Sequence, residues 1–127
     1  MTKNKLLILK KEKMNTEQKT TVKEITVQEL KFLFDDKKDF QLIDVREKFE
    51  RDIANIGGKL IPLGKIQFQL TKIEKDKQVV IYCRSGRRSA EAVKLLEEAI
   101  GHVKLYNLKG GILAWSAEID ETVSILL

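Results

Sequence analysis

Short apolar runs alternate with helical patterns along most of this chain. KEIT (23–26) reads as a short edge strand. Thr26 and Glu29 make a T-x-x-E capping box, opening a helix through VQELKFLFDD (27–36) with Leu30, Leu33 and Phe34 on one face. DFQLIDV (39–45) reads as a buried strand, and REKFERDIANIGG (46–58) as a polar helix or turn ending in a glycine pair. KLIPLG (59–64) reads as a strand that Pro62 confines to an end or an edge. KIQFQLTKIEKD (65–76) predicts an amphipathic helix. KQVVIYC (77–83) is continuously apolar and β-branched, as a central parallel strand should be. SAEAVKLLEEAIG (89–101) predicts a helix with Ala92, Leu95, Leu96 and Ile100 on one face and Gly101 as its stop. HVKLYNL (102–108) follows as a strand, and KGGILAWSAEI (109–119) as a turn and a last helix. The alternation predicts an α/β fold on a mainly parallel sheet, where functional groups gather at the carboxyl ends of the strands.

Length adds that the 127 residues suit one domain with a real core. The expected division is a lysine-rich leader (1–22), a domain (23–120) and a short tail (121–127), with Met14 as an alternative start. The net charge of +5 raises the question of a nucleic-acid partner until it is located. Residues 1–23 hold seven lysines against Glu12 and Glu17, and the remaining residues balance. The basicity therefore belongs to the leader and not to a groove, and no specific nucleic-acid partner is expected. No apolar run approaches the ~18–20 residues of a membrane span. KLLILKK (5–11) has four apolar residues, short of a signal-peptide core, so the expectation is a cytoplasmic chain without a membrane partner. The single cysteine, Cys83, excludes an internal disulfide.

That cysteine ends the clearest strand and is followed by RSGRRS and then a helix. Successive N–H groups of a tight turn form an anion-binding nest, and the helix adds its unpaired N–H groups and positive dipole end. Gly86 permits the backbone angles such a turn demands. Ser89 can cap the helix and donate a hydrogen bond. Arg84, Arg87 and Arg88 supply fixed positive charge. Each feature favours thiolate over thiol, and the thiolate is the nucleophile. A buried, inert cysteine is the bland alternative, against which the coincidence of turn, helix start and three cations weighs.

VVIYCRSGRRSAEAVKLL resembles the active-site segment of rhodanese-like domains, where C-x-x-G-x-R-S follows a strand and opens a helix. LIDVRE (42–47) is similar to that family's aspartate- and arginine-bearing strand end, and LKGGILAW (108–115) to its closing glycine pair and tryptophan. The three blocks occur in the family's order, over about residues 23–119. The resemblance implies a three-layer fold around about five parallel strands, and sulfurtransferase activity. Cys83 would take sulfane sulfur from a donor such as thiosulfate or a persulfide, and pass it on to a thiol or to cyanide. Arg84, Ser85, Gly86, Arg87, Arg88 and Ser89 would bind the donor, with Asp44 and Arg46 in support. No cofactor and no metal is implied.

Related phosphatases and arsenate reductases carry C-x5-R, whereas Cys83 to Arg88 is C-x4-R, and the shorter loop favours sulfur. The chain departs from the family after DVRE. Lys48 stands where many members have proline, and Ala54–Lys59 replaces a GHIPGA turn. NIGGKLIPLG and KGGILAWSAEID are closer to domains that work with enzymes activating ubiquitin-like sulfur carriers. A relay of sulfur between proteins, with a cysteine desulfurase or a sulfur-carrier protein as partner, is therefore the alternative to a small-donor enzyme. A binding module that keeps only the fold is the third, and the intact loop argues against it. Asp44 is expected at a strand end, bonded to backbone N–H groups or an arginine. Arg46 is expected either to pair with an acidic neighbour or to line the mouth. Arg84 is expected outward, Arg88 at the helix start, Trp115 in the core and lone His102 in a turn.

Overall fold

The computed structural model describes residues 21–102 and 104–123. The leader, apart from Thr21 and Val22, lies outside the described residues, as do Met14 and positions 124–127 of the tail. Strand β1 (Glu24–Ile25) runs directly into helix α1 (Val27–Asp35). The Thr26 hydroxyl accepts the Glu29 N–H at 3.1 Å, and the Glu29 carboxylate accepts the Thr26 N–H at 2.9 Å. That box satisfies two of the donors a helix start leaves open.

The other elements are β2 (Phe40–Asp44), α2 (Lys48–Ile53), β3 (Lys59–Leu60), β4 (Gln78–Tyr82), α3 (Arg87–Ile100), β5 (Leu105–Leu108) and α4 (Gly111–Glu118). The five strands form one sheet in the order β1-β5-β4-β2-β3, and every pairing is parallel. Strands β2 and β4 pair along their full length, from Phe40 opposite Gln78 to Asp44 opposite Tyr82. Asp44 and Cys83 therefore leave the sheet at the same carboxyl edge.

Period-two alternation divides the core. Val79, Ile81 and Cys83 face α3, where Ala92, Val93 and Leu96 cover them. Val80 and Tyr82 face α1 and α4, covered by Leu30, Ile112 and Trp115. A central parallel strand must be apolar on both faces, which is why VVIY carries no polar interruption. Trp115 is a core residue, edge-on to Phe34 at 5.7 Å.

Three element assignments change. Residues 65–76 do not form an α-helix. They make two 3₁₀ segments, Leu63–Phe68 and Leu70–Lys72, broken at Gln69. Pro62 precedes them with no side-chain cap, so the apolar spacing of Ile66, Leu70 and Ile73 is served by short turns packed against the sheet and α3. Strand β3 is only two residues, an edge strand that ends before Pro62. Helix α3 starts at Arg87, two residues earlier than the pattern predicts, and Gly101 ends it at φ +62°. Leu95 is 40% exposed and leaves the buried face to Ala92, Val93 and Leu96.

Candidate active site

Beyond Tyr82 the chain turns sharply and enters α3 through Gly86, whose φ of +100° is open to glycine and costly for other residues. The turn wraps the Cys83 sulfur in donors. The Gly86 N–H reaches Sγ at 3.1 Å, the Ser89 N–H at 3.4 Å and the Ser89 Oγ at 3.3 Å. Cys83 itself is 1% exposed. Ser89 is therefore not the helix cap, as its residue type suggests. Gly86 closes the turn first, and Ser89 becomes the third helical residue, its N–H turned to sulfur.

The opposite side of the loop rests on α4. Ile112 N–H donates to the Cys83 carbonyl at 2.9 Å, and Leu113 N–H to the Arg84 carbonyl at 3.1 Å. Gly111, at φ +60°, lies so close that a Cβ there would sit 2.4 Å from the Arg84 oxygen and 2.5 Å from that of Cys83. The second glycine of LKGGILAW is thus a packing requirement of the cysteine loop, whereas a Cβ on the first, Gly110, would strike Ala114 of α4. Asn107, buried on β5, ties the loop to the sheet. Its Nδ2 donates to the Gly86 carbonyl and to Glu24, each at 3.1 Å, and its Oδ1 faces the Ser89 hydroxyl. The sequence reading missed Asn107, although an amide inside the otherwise apolar LYNL was a visible signal.

The three arginines disperse. Ser85 and Arg87 are exposed, and Arg84 is half-buried. The Arg84 Nε is buried with no hydrogen-bond partner among the described residues. Arg88 turns to α2 and grips Glu50 with both nitrogens, at 2.8 and 2.7 Å. Hydrogen bonding from Arg88 outweighs partial burial and holds the Glu50 carboxyl down at about 2. The same bond raises the Arg88 guanidinium further above its usual range. Sequence reasoning missed Glu50 as well, because its partner lies 38 positions away.

Asp44 is fully buried and gathers the neighbouring loop. It accepts the Arg46 N–H at 3.0 Å, the Arg46 guanidinium twice at 2.9 Å, and the Tyr82 hydroxyl at 3.1 Å. Arg51 approaches it at 3.5 Å. Arg46 is 3% exposed and also donates to the Ala54 carbonyl, so it pairs with Asp44 and does not line the mouth. Burial pushes the Tyr82 phenol up to about 12, and the Asp44 charge adds to it. His102 sits in a turn, its Nδ1 accepting the Lys104 N–H and its Nε2 2.7 Å from the Glu74 carbonyl. No group of three or more His, Cys, Asp or Glu among the described residues is arranged to hold a metal. No helix there is long and apolar enough to cross a membrane.

A cysteine loop of this form, on a parallel five-stranded sheet, matches a known design. The sequence model of the rhodanese-like domain matches residues 26–118. The chain belongs to the rhodanese-like domain family. This rhodanese-like domain is 38% identical to a sulfurtransferase of Allochromatium vinosum over 96 residues, covering 75% of this chain and 89% of that one. It is 40% identical over 99 residues to a protein of Mycobacterium tuberculosis named as a probable adenylyltransferase/sulfurtransferase. That match covers 76% of this chain and only 25% of the relative, so the chain spans about a quarter of that protein's length. Its fold superposes on a rhodanese-like domain protein of Staphylococcus aureus with a TM-score of 0.69 and 34% identity, over 84% of this chain and all of the other.

Two predictions follow the geometry of this rhodanese-like domain. Alanine at Gly111 should cost about 1–3 kcal/mol from backbone strain alone, read in chemical denaturation. Because its Cβ would meet main-chain carbonyls, turnover should fall too, and an unchanged variant contradicts the packing. The second concerns pH. A carboxylate held at about 2 against an ordinary 4.5 contributes stability that is complete above 4.5 and lost as pH falls toward 2. Glu50→Gln should therefore cost about 1 kcal/mol at neutral pH, reduced by solvent screening at the one-third-exposed Arg88. The gap to the parent chain should close in acid, and a gap independent of pH contradicts the pairing.

Proposed function

We propose that this rhodanese-like domain moves sulfane sulfur from a donor such as thiosulfate to a thiophilic acceptor through a persulfide on Cys83. The observation that carries this reading is the seat of the sulfur, where the Gly86 and Ser89 N–H groups both converge on Sγ. Donors fixed in a site where little water enters stabilise negative charge without reorganising. In the first step the Cys83 thiolate attacks the outer sulfur of thiosulfate. A new S–S bond forms, the old one breaks, and sulfite leaves with the electron pair. In the second step cyanide or a thiolate attacks the outer sulfur of the persulfide, and the Cys83 thiolate departs. No second cysteine exists in the chain to take that sulfur, so the acceptor comes from outside it.

Roles for the loop follow. Gly86 and Ser89 hold the sulfur, while Ser85 and Arg87, exposed on the same turn, meet the incoming donor. The buried Arg84 Nε has no partner among the described residues, and an anion at the mouth would satisfy that donor. Arg88 supports the loop from outside, its guanidinium being engaged by Glu50. With that arginine turned away, and only four residues between Cys83 and Arg88, a phosphate-sized oxyanion is poorly served. Asp44 and Arg46 shape the adjacent loop and touch no reacting atom.

The likeness to an adenylyltransferase/sulfurtransferase supports a second reading, in which a cysteine desulfurase loads Cys83 and a sulfur-carrier protein empties it. Thiocyanate formation from thiosulfate and cyanide separates the two. The small-donor reading expects turnover that Cys83→Ser abolishes. It also expects Arg84→Gln to raise KM for thiosulfate about tenfold, the value of roughly one charge-assisted hydrogen bond, with kcat less affected. Turnover only when a desulfurase supplies the sulfur favours the relay, and turnover retained by Cys83→Ser contradicts both.

A further inference from the structure

We infer that Asn107 favours the sulfur-loaded form of Cys83 by claiming the single hydroxyl hydrogen of Ser89. The inference rests on the persulfide reading above and assigns a positioning residue to it. It follows from counting hydrogens in a buried chain of contacts. The Asn107 Nδ2 carries two, and they go to the Gly86 carbonyl and the Glu24 carboxylate, each at 3.1 Å. Both partners accept only, so the amide can face just one way. Its Oδ1 then points at the Ser89 hydroxyl and must receive that group's hydrogen. The same hydroxyl oxygen lies 3.3 Å from the Cys83 sulfur. Asn107 is 2% exposed and Ser89 fully buried, so water offers neither a ready substitute.

The count closes for a thiol. Sulfur donates its hydrogen to the Ser89 oxygen, and Ser89 donates to Asn107. It fails for a thiolate. Sulfur now only accepts, Asn107 Oδ1 only accepts, and one hydroxyl hydrogen lies between them. If sulfur takes it, the buried Asn107 Oδ1 is left unsatisfied. If Asn107 keeps it, the thiolate retains only the Gly86 and Ser89 N–H groups and faces a hydroxyl lone pair at 3.3 Å, and either choice costs free energy. It closes again in a persulfide, where the charge moves to the outer sulfur. The inner sulfur becomes a weak, neutral acceptor, and the Ser89 hydrogen can remain on Asn107. The main-chain N–H groups of Gly86 and Ser89 favour the thiolate, and Asn107 opposes them. The result is a cysteine that is satisfied when protonated or loaded, and frustrated when bare. Such a site keeps its sulfur until an acceptor takes it.

Titration of the thiol tests the assignment directly, because Cys83 is the only cysteine in the chain. The thiolate's ultraviolet absorbance is followed against pH, with Cys83→Ser as the blank. The charged groups around the sulfur are the same in every variant. They are Arg84 in the loop, Arg88 paired with Glu50, Asp44 held by Arg46, and Glu24 behind Asn107. Only Glu24 loses a partner when Asn107 is replaced. Asn107→Leu frees the Ser89 hydrogen for sulfur, and the midpoint should move down by about one pH unit. The Gly86 carbonyl still receives the Ala90 N–H at 3.2 Å, so the loop retains a tie.

Ser89→Ala alone should not raise the midpoint, since its hydrogen is already committed. The same change made in the Asn107→Leu background should raise it. This background dependence separates proton control from simple loosening of the loop. At a fixed thiosulfate-to-sulfite ratio and a pH above the midpoint, Asn107→Leu should also lower the ratio of loaded to empty protein about tenfold. An unshifted Asn107→Leu titration overturns the inference. So does a midpoint raised by Ser89→Ala alone, which still decides the matter if Asn107→Leu does not fold. The titration needs no sulfur donor, so a failure there is distinct from a failure of sulfur transfer, which shows as an unloaded parent chain. An unloaded parent chain also removes the loaded-state part of the inference.

Discussion

Two hydrogen bonds from α4 decide what the cysteine loop can be. Ile112 and Leu113 take the carbonyls of Cys83 and Arg84. In a planar trans peptide the N–H points opposite its C=O. Tying those carbonyls to α4 therefore turns the N–H groups of Arg84 and Ser85 away from it. Gly86 then closes the turn at a positive φ, and its own N–H and that of Ser89 arrive at the sulfur. The sequence cost of the arrangement is glycine at positions 86 and 111, where a side chain would strain the backbone or strike the opposing main chain.

The sheet supplies the rest by register. Asp44 pairs with Tyr82 at the carboxyl edge, so the loop after β2 and the loop after β4 share one wall. Asp44 binds the first through Arg46 and Arg51 and reaches the second through the Tyr82 hydroxyl. Glu50 repeats the link farther out by holding Arg88. These charges are largely spoken for within the protein. The Arg84 Nε is the exception among the buried side-chain donors of the described residues, and it sits in the loop that carries the sulfur.

Much of this was legible in the sequence, and the misses have physical causes. The apolar VVIY run, the glycine at position 86 and the Thr26–Glu29 box report local constraints, and local constraints leave local patterns. The parallel sheet followed from alternation alone. Residues 65–76 misled because apolar spacing marks a buried face without fixing the helix type. With Pro62 ahead and no capping side chain, the segment settles into 3₁₀ turns. Ser89 misled because a serine near a helix start usually caps it, whereas here a left-handed glycine closes the turn first. The amide inside LYNL marked Asn107 as unusual, but the partners of Asn107 and Glu50 lie on loops remote in sequence, and only the fold brings them together.

The central claim is that sulfur travels on Cys83 itself. The most direct measurement is the intact mass of the protein after exposure to thiosulfate, or to a cysteine desulfurase with cysteine, followed by peptide mapping. The account predicts a gain of one sulfur atom on the peptide carrying Cys83, lost again on adding cyanide. An unchanged mass with both donors, or a sulfur found on any other residue, would contradict it.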